Sequence, residues 1–203
     1  MTETAPKPAS PLRRKDRHLT EEAWIDRLLD GAPIGHLALV NHDGELTIHS
    51  HNFWAAGDAI YHHGAPRGAL AVAIAVGPLA GCFTVTEAGR ILVADEAADF
   101  GTEFASVVAW GILSRVENEA ECVRALDGLM RKYVPQLEPG RDYRAPNPAE
   151  IRRTNVYRFD VERRIAKHNI RAEGQPSVAY PAFSFIDEER AADRLTNRPK
   201  PAS

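Results

Sequence analysis

Asp43-Gly44 follows an apolar run over residues 34–40 and precedes a segment, 45–54, that reads as a returning strand. An Asp-Gly pair in that setting favours a tight hairpin turn, whose central residues need positive φ. The chain is thereby committed to doubling back as an antiparallel pair. Ala56-Gly57-Asp58 gives a second turn before a short strand over 59–63, so the pairing continues as a meander. Further on, residues 79–86 and 91–94 read as a hairpin around Glu87-Ala88-Gly89-Arg90. A long β-rich segment covers 105–116, and 155–161 is the last clear strand.

Helical periodicity appears in three places. Thr20 is placed as an N-cap before Glu21, Glu22 and Ala23, with Trp24, Ile25, Leu28 and Leu29 at helical spacing until Gly31 and Pro33. Leu70, Ala73, Ile74 and Gly77 form a stripe that starts after Pro66 and closes at Pro78. Asn118 with Glu121 has the form of a capping box, and Val123, Leu126, Leu129, Met130 and Tyr133 continue as an amphipathic face until Pro135. A Pro/Gly/charge-rich linker then runs over 135–148, with a short helix after it.

With 203 residues and 44% hydrophobic content, the chain has material for one well-buried core. The expected organisation is a mobile arm over 1–19, one domain over 20–170, and a tail over 171–203. The tail's patch at Tyr180, Phe183, Phe185 and Ile186 suits docking on a partner subunit. A net charge of −3 with mixed signs supplies no field for nucleic acid or an anionic membrane. The uncharged stretch 68–86 is broken by Gly77-Pro78 and Gly81, which argues against a membrane span. Cys82 and Cys122 lack metal-ligand spacing and read as buried free thiols. The N-terminus has no apolar leader stretch, and a cytoplasmic location is expected.

Two constellations carry chemistry. The first is Ile60-Tyr61-His62-His63-Gly64-Ala65-Pro66-Arg67-Gly68, a glycine-bearing junction between strand and helix. Such a junction can take an anion on free N–H groups and a guanidinium, although an ordinary connecting turn has the same composition. The second is histidine: His49 and His51 alternate on one strand and share a face, with His62 and His63 on a neighbour. These imidazoles suit packing, a flavin contact, or ligation of a metal or haem. Phe53, Trp54, Tyr61 and Trp110 serve equally as core or as walls for a flat cofactor. No phosphate-loop, dinucleotide-fold or hydrolase signature occurs.

Four segments in order give the chain a family likeness. They are Ile34-Gly35-His36-Leu37-Ala38, Ile60 to Ala65, Ala105-Ser106-Val107-Val108-Ala109-Trp110-Gly111, and Thr154-Asn155-Val156-Tyr157 followed by Lys167. Over residues 20–170 this resembles the pyridoxamine-phosphate-oxidase-related, FMN-binding split-barrel proteins, including the nitroimidazole-resistance branch. The resemblance implies a mainly β fold with flanking helices, an antiparallel six-stranded split barrel. It also implies a homodimer with FMN at its interface and oxidoreductase activity on a small molecule. The flavin ring would run near Ser50, His51 and Asn52, and its phosphate near His63, Gly64, Ala65, Arg67 and Gly68. Ser106 and Val107 would meet the cofactor from the next strand, and Lys167 would come from the partner subunit. Phe104-Ala105 stands where relatives often carry Tyr-Arg, removing one positive contact, and 95–101 is acidic. The alternatives are a non-catalytic FMN- or haem-binding carrier or sensor, and a metal-dependent barrel built on His49, His51 and His62.

Overall fold

In the computed structural model, residues 14–181 apart from 152 are described. Most of the expected arm, residues 1–13, and the tail's Phe183, Phe185 and Ile186 lie outside them. The described chain opens with a 3-10 turn (Lys15–Arg17) and β1 (His18–Leu19), followed by α1 (Glu22–Gly31) and β2 (Gly35–Val40). Next come β3 (Leu46–His51), β4 (Trp54–Ala56), β5 (Ala59–Gly64) and α2 (Ala69–Ala73). The long strands β6 (Leu79–Leu92) and β7 (Gly101–Arg115) precede α3 (Glu119–Tyr133), α4 (Pro148–Ile151), β8 (Asn155–His168) and β9 (Ser177–Val178).

Every ladder among these strands is antiparallel, in the order β3-β2-β6-β7-β8-β5-β4, with β1 added to β8 and β9 to β6. The run expected as one strand over 45–54 is broken. β3 pairs with β2, whereas β4 pairs with β5. The break falls at Asn52-Phe53, where the Phe53 ring is fully buried and its N–H donates to the Tyr133 hydroxyl at 2.9 Å. A strand that gives one amide to a helix cannot continue its ladder, so the sheet stays open between β3 and β5. This is a split barrel, with a sheet of nine named strands rather than six, because one expected strand divides and two short ones pair with β8 and β6.

Three other expectations need correction. No turn forms at 87–90: β6 runs on through a bulge between Ala88 and Ile91, because its far end keeps pairing with residues 101–104. The connection to β7 is instead the acidic segment 93–100. Thr20 does not cap α1, whose N-cap is Glu21 with no side-chain bond. The last strand extends seven residues beyond Val161, across a bulge where Trp110 and Gly111 face Arg163 and Val161.

The core fills the barrel with Phe53, Phe83, Phe159, Tyr157, Leu37 and Val107, closed by Ile25, Leu28 and Leu29 of α1. Each such side chain contributes about 1.5–3 kcal/mol on burial. A second cluster joins α3 to the sheet through Cys122, Ala125, Tyr61 and Val156. Asn118 does cap α3, its side chain accepting from the Glu121 N–H at 2.9 Å. Glu121 does not close the reciprocal half of a capping box. Its carboxylate accepts from Tyr61 and Arg158 at 2.8 and 3.1 Å, fastening the helix to β5 and β8. Both cysteines are free, Cys122 buried and Cys82 half-buried. Among the described residues no helix is long and apolar enough to cross a membrane.

Candidate functional site at the open seam of the barrel

Alternation along β3 divides its side chains between two faces. Thr47, His49 and His51 turn inward, and Leu46, Ile48 and Ser50 outward. Across the open seam, β5 presents His62, which is 1% exposed, while His63 beside it is exposed. The inward rings form a ladder. His49 and His51 stand 6.0 Å apart, His51 and His62 4.3 Å, and His62 and Tyr157 5.1 Å, with neighbouring planes 10–27° apart. His49 is held by Thr47, whose hydroxyl lies 3.0 Å from its Nε2.

Burial sets the charge of this ladder. Taking an imidazolium out of water without a counter-ion is unfavourable, so desolvation lowers the pKa of His49, His51 and His62, the last to about 3. Like charge on the neighbouring imidazoles pushes His51 and His62 further in the same direction. All three rings are neutral at pH 7. Both ring nitrogens of His62 and Nε2 of His51 are buried without a hydrogen-bond partner. The rings lie face to face, so their nitrogens do not converge, and among the described residues no group of three ligating side chains is arranged to hold a metal.

Beside His49 and Thr47 lies a groove of about 450 Å³, walled on the far side by Ala69, Val72 and Val76 and ending at the hairpin tip, Asn41 to Asp43. Val72 and Val76 are 69% and 79% exposed. Asn41 shapes the tip by accepting from the N–H groups of Asp43 and Glu45 at 3.0 and 2.8 Å. The helix expected from Pro66 to Gly77 forms over five residues only and then unwinds in turns, Ala75 donating to Val72 and Gly77 to Ile74. Valines have modest helix propensity, and Gly77 adopts a φ of 154° that leaves the helical region. In the loop before it, Gly68 N–H donates to Ala65 O at 3.1 Å, so that amide is committed to a turn. Arg67 is exposed and makes no ion pair among the described residues.

The other residues singled out in the sequence fall on the sheet's outer face or in the core. Ser106 stands directly opposite Lys167 within the same chain, with Thr86 on its other side. Ser50 shares that face, its Oγ 2.9 Å from His36 Nδ1, but it is three strands from β7, about 14 Å at ordinary strand spacing. Asn52 reaches Pro33 O at 3.3 Å. Val107 is a core residue, 1% exposed, and its carbonyl accepts from Thr84. Phe53 and Tyr61 are core as well, whereas Trp110 lies on the outer face beneath the Arg163 guanidinium at 3.7 Å.

One chain therefore holds the expected site in three parts: the ladder with its groove, the loop over 63–68, and the outer face bearing Ser50, Ser106 and Lys167. The groove walls Val72 and Val76 escaped sequence reasoning. The signal was available, since two valines four apart in a stripe otherwise of alanine leave an apolar face with nothing assigned to cover it.

Comparison with known proteins agrees with this architecture. The family model for pyridoxamine 5'-phosphate oxidase matches residues 21–168. No curated protein matches the chain in sequence. Among solved structures, the flavocytochrome Anf3 from Azotobacter vinelandii is similar with a TM-score of 0.67 at 21% identity, over 98% of this chain and 96% of that one. An FAD- and heme-binding protein from Mycobacterium smegmatis gives 0.66 at 24% identity, over 87% and 80%. A protein from Bacteroides thetaiotaomicron assigned to 5-nitroimidazole antibiotic resistance gives 0.62 at 18%, over 74% and 86%. With the family model spanning the whole barrel and these structures sharing its unclosed sheet, the chain belongs to the pyridoxamine 5'-phosphate oxidase family of split-barrel proteins.

Proposed function

We propose that the chain is a flavin-dependent redox protein, an FMN-binding oxidoreductase acting on a small molecule and working as a homodimer. The observation that carries this reading is the groove between β3 and α2, about 450 Å³ in volume, a size typical of small-molecule and cofactor sites. Among the described residues β3 is laddered on one edge only, by β2. Its second edge offers backbone donors and acceptors of the kind a flavin's pyrimidine ring needs. Val72 and Val76 give a flat ring apolar cover from water, and the face of His49 gives it a stacking surface. Arg67, exposed at the start of the same helical turn, supplies a planar donor fork for the phosphate. The residues present fit the group.

When bound, the flavin supplies the electron-transfer chemistry, and the chain binds it, orients it and sets the surrounding dielectric. The flavin- and haem-binding relatives support this choice of cofactor. The dimer is supported by the outer face, where Val40, Leu46 and Ile48 are 51%, 66% and 69% exposed, the first two lining a groove of about 480 Å³ that includes Cys82 and Trp110. An apolar sheet face of this kind suits a second copy. Covering it would place the partner's outer-face serine and lysine near the seam of the first copy. Titration of the purified protein with FMN and FAD, followed by flavin fluorescence, tests the reading. Micromolar or tighter binding with quenching is expected, and no change in fluorescence would refute it. Arg67→Ala is expected to weaken FMN about ten- to hundredfold through the lost charged hydrogen bond. Anaerobic mixing with NADH or NADPH should bleach the bound flavin if the protein turns it over.

A second reading, a haem-binding carrier or sensor, is favoured by one observation: the rings of His62 and His51 are neutral, and both nitrogens of His62 and Nε2 of His51 are buried without a hydrogen-bond partner. Neutral imidazole is the ligating form. A Soret band after reconstitution with hemin, shifted on reduction, would identify that protein.

A further inference from the structure

A cavity of about 540 Å³ lies past the Leu79–Leu113 pair, between the unwound turns after α2 and the end of β7 with the start of β8. None of the residues that the family resemblance assigns to the cofactor lines it. Of the groove's walls only Val76 is shared with it.

The register decides which side chains meet there. Arg115 stands opposite Tyr157, and the next residue carries the ladder on, Val116 N–H donating to Val156 O at 2.9 Å. Glu117 therefore falls opposite Asn155, at the spacing of about 5 Å between Cβ atoms that cross-strand neighbours keep. Arg115 and Glu117 are two residues apart and share a face. Arg115 Nε and Glu117 Oε1 are 3.4 Å apart, and both side chains are exposed. Such a pair is weak, because water screens it and two long side chains must be held still. A ligand can part it at little cost. Asn155 is different. It is 6% exposed, lines the cavity, and donates from its amide nitrogen to the Tyr157 hydroxyl at 3.1 Å. Its Oδ1 accepts no hydrogen bond among the described residues, which leaves an acceptor beside the Glu117 carboxylate.

These groups fix the chemistry of an occupant. The Arg115 guanidinium offers a planar fork of donors to a carboxylate, while Glu117 and Asn155 offer two acceptors to an ammonium. A simple anion would meet the like charge of Glu117 beside Arg115. A zwitterion exchanges one weak ion pair for two and leaves the net charge of the site unchanged. Pro66, Ile74 and Pro78 add an apolar wall, and the volume is of the size that small-molecule sites have.

We propose that this cavity is a second ligand site, independent of the flavin, that takes an α-amino acid with a large apolar side chain. Its carboxylate sits on Arg115, its ammonium between Glu117 and Asn155 Oδ1, and its side chain against Ile74 and Pro78. Occupation braces the turns after α2, and with them Val76 at the edge of the groove.

Calorimetric titration of the full chain with L-phenylalanine, 3-phenylpropanoate and 2-phenylethylamine tests the assignment, since the second compound lacks the ammonium and the third the carboxylate. L-Phenylalanine should bind saturably, and each analogue should bind about tenfold or more weakly, the loss expected for one charged hydrogen bond. Glu117→Gln should weaken L-phenylalanine and narrow its lead over 3-phenylpropanoate. Arg115→Gln should weaken it and narrow its lead over 2-phenylethylamine. Both substituted side chains are exposed, so the variants should melt with the wild type, which separates lost binding from lost folding. No binding of L-phenylalanine, equal binding of the three compounds, or unchanged affinity in both variants would overturn the proposal. Tighter binding of 3-phenylpropanoate than of L-phenylalanine would overturn it as well, making this an anion site. None of these outcomes depends on whether the protein takes a flavin.

Discussion

His62 shows how a single side chain can set a pH limit. Its folded pKa of about 3 lies below the ordinary 6.5 because burial disfavours the cation and His51, His63 and His49 add like charge. Below pH 6.5 the unfolded chain takes up a proton that the folded chain refuses. The stability this ring contributes is therefore complete above about 6.5 and drains away as pH falls toward 3, at roughly 1.4 kcal/mol per pH unit. His49 and His51 act in the same direction. Urea unfolding midpoints should fall between pH 7 and 5 in the wild type and flatten in His62→Phe. Gly128 makes a steric counterpart: a Cβ there would overlap the Trp54 indole, which is stacked on Tyr61. Gly128→Ala should cost about 1–3 kcal/mol, as overpacking does, measurable as a lower melting temperature with unchanged α-helical circular dichroism. Glu103 illustrates the polar side. It is 7% exposed, accepts from Arg90 and from the Arg171 N–H, and is held at about pKa 2 chiefly by the Arg90 side chain. Glu103→Gln should loosen the C-terminal segment, seen as faster proteolysis beyond residue 168.

At the scale of elements, the helices do most to tie distant pieces of chain together. From the end of α3, Lys132 donates to Leu29 O at 2.7 Å, satisfying a carbonyl at the C-terminus of α1, and lies 3.4 Å over the Phe53 ring. Tyr133 beside it receives the Phe53 N–H and donates to Pro33. Tyr133→Phe should strand that amide and destabilise the protein by about 1–3 kcal/mol, while Asn118→Ala at the other end of α3 should cost about 1 kcal/mol. Chemical denaturation at pH 7 measures both. The hairpin at Asp43-Gly44 and the capped α3 were legible in the sequence, because turn chemistry and periodicity are local; the order of the strands in the sheet was not, since the expected meander is interrupted between β3 and β5. The break at Asn52-Phe53 was not, since it depends on a tyrosine eighty residues away. The continuation of β6 past Gly89 was equally hidden, as it depends on Glu103 across the ladder. Of the candidate site, the histidines and the loop were legible as residue types. Their division between faces, and the valines opposite them, required the third dimension.

For the whole molecule, the proposed homodimer can be tested on the apolar outer face. Val40, Leu46 and Ile48 are exposed together on the side that also carries Ser106 and Lys167. Ile48→Lys should shift the protein toward monomer in sedimentation and lower flavin affinity in parallel if the partner completes the site; a monomeric variant with full affinity would confine the site to one chain. The seam has a further consequence. Because, among the described residues, β3 is laddered on one side alone, the amide protons on its other edge have no strand partner there. Hydrogen exchange along residues 46–51 should alternate between slow and fast from one residue to the next, and a ligand seated in the seam would erase that alternation, giving each amide its own record of occupancy.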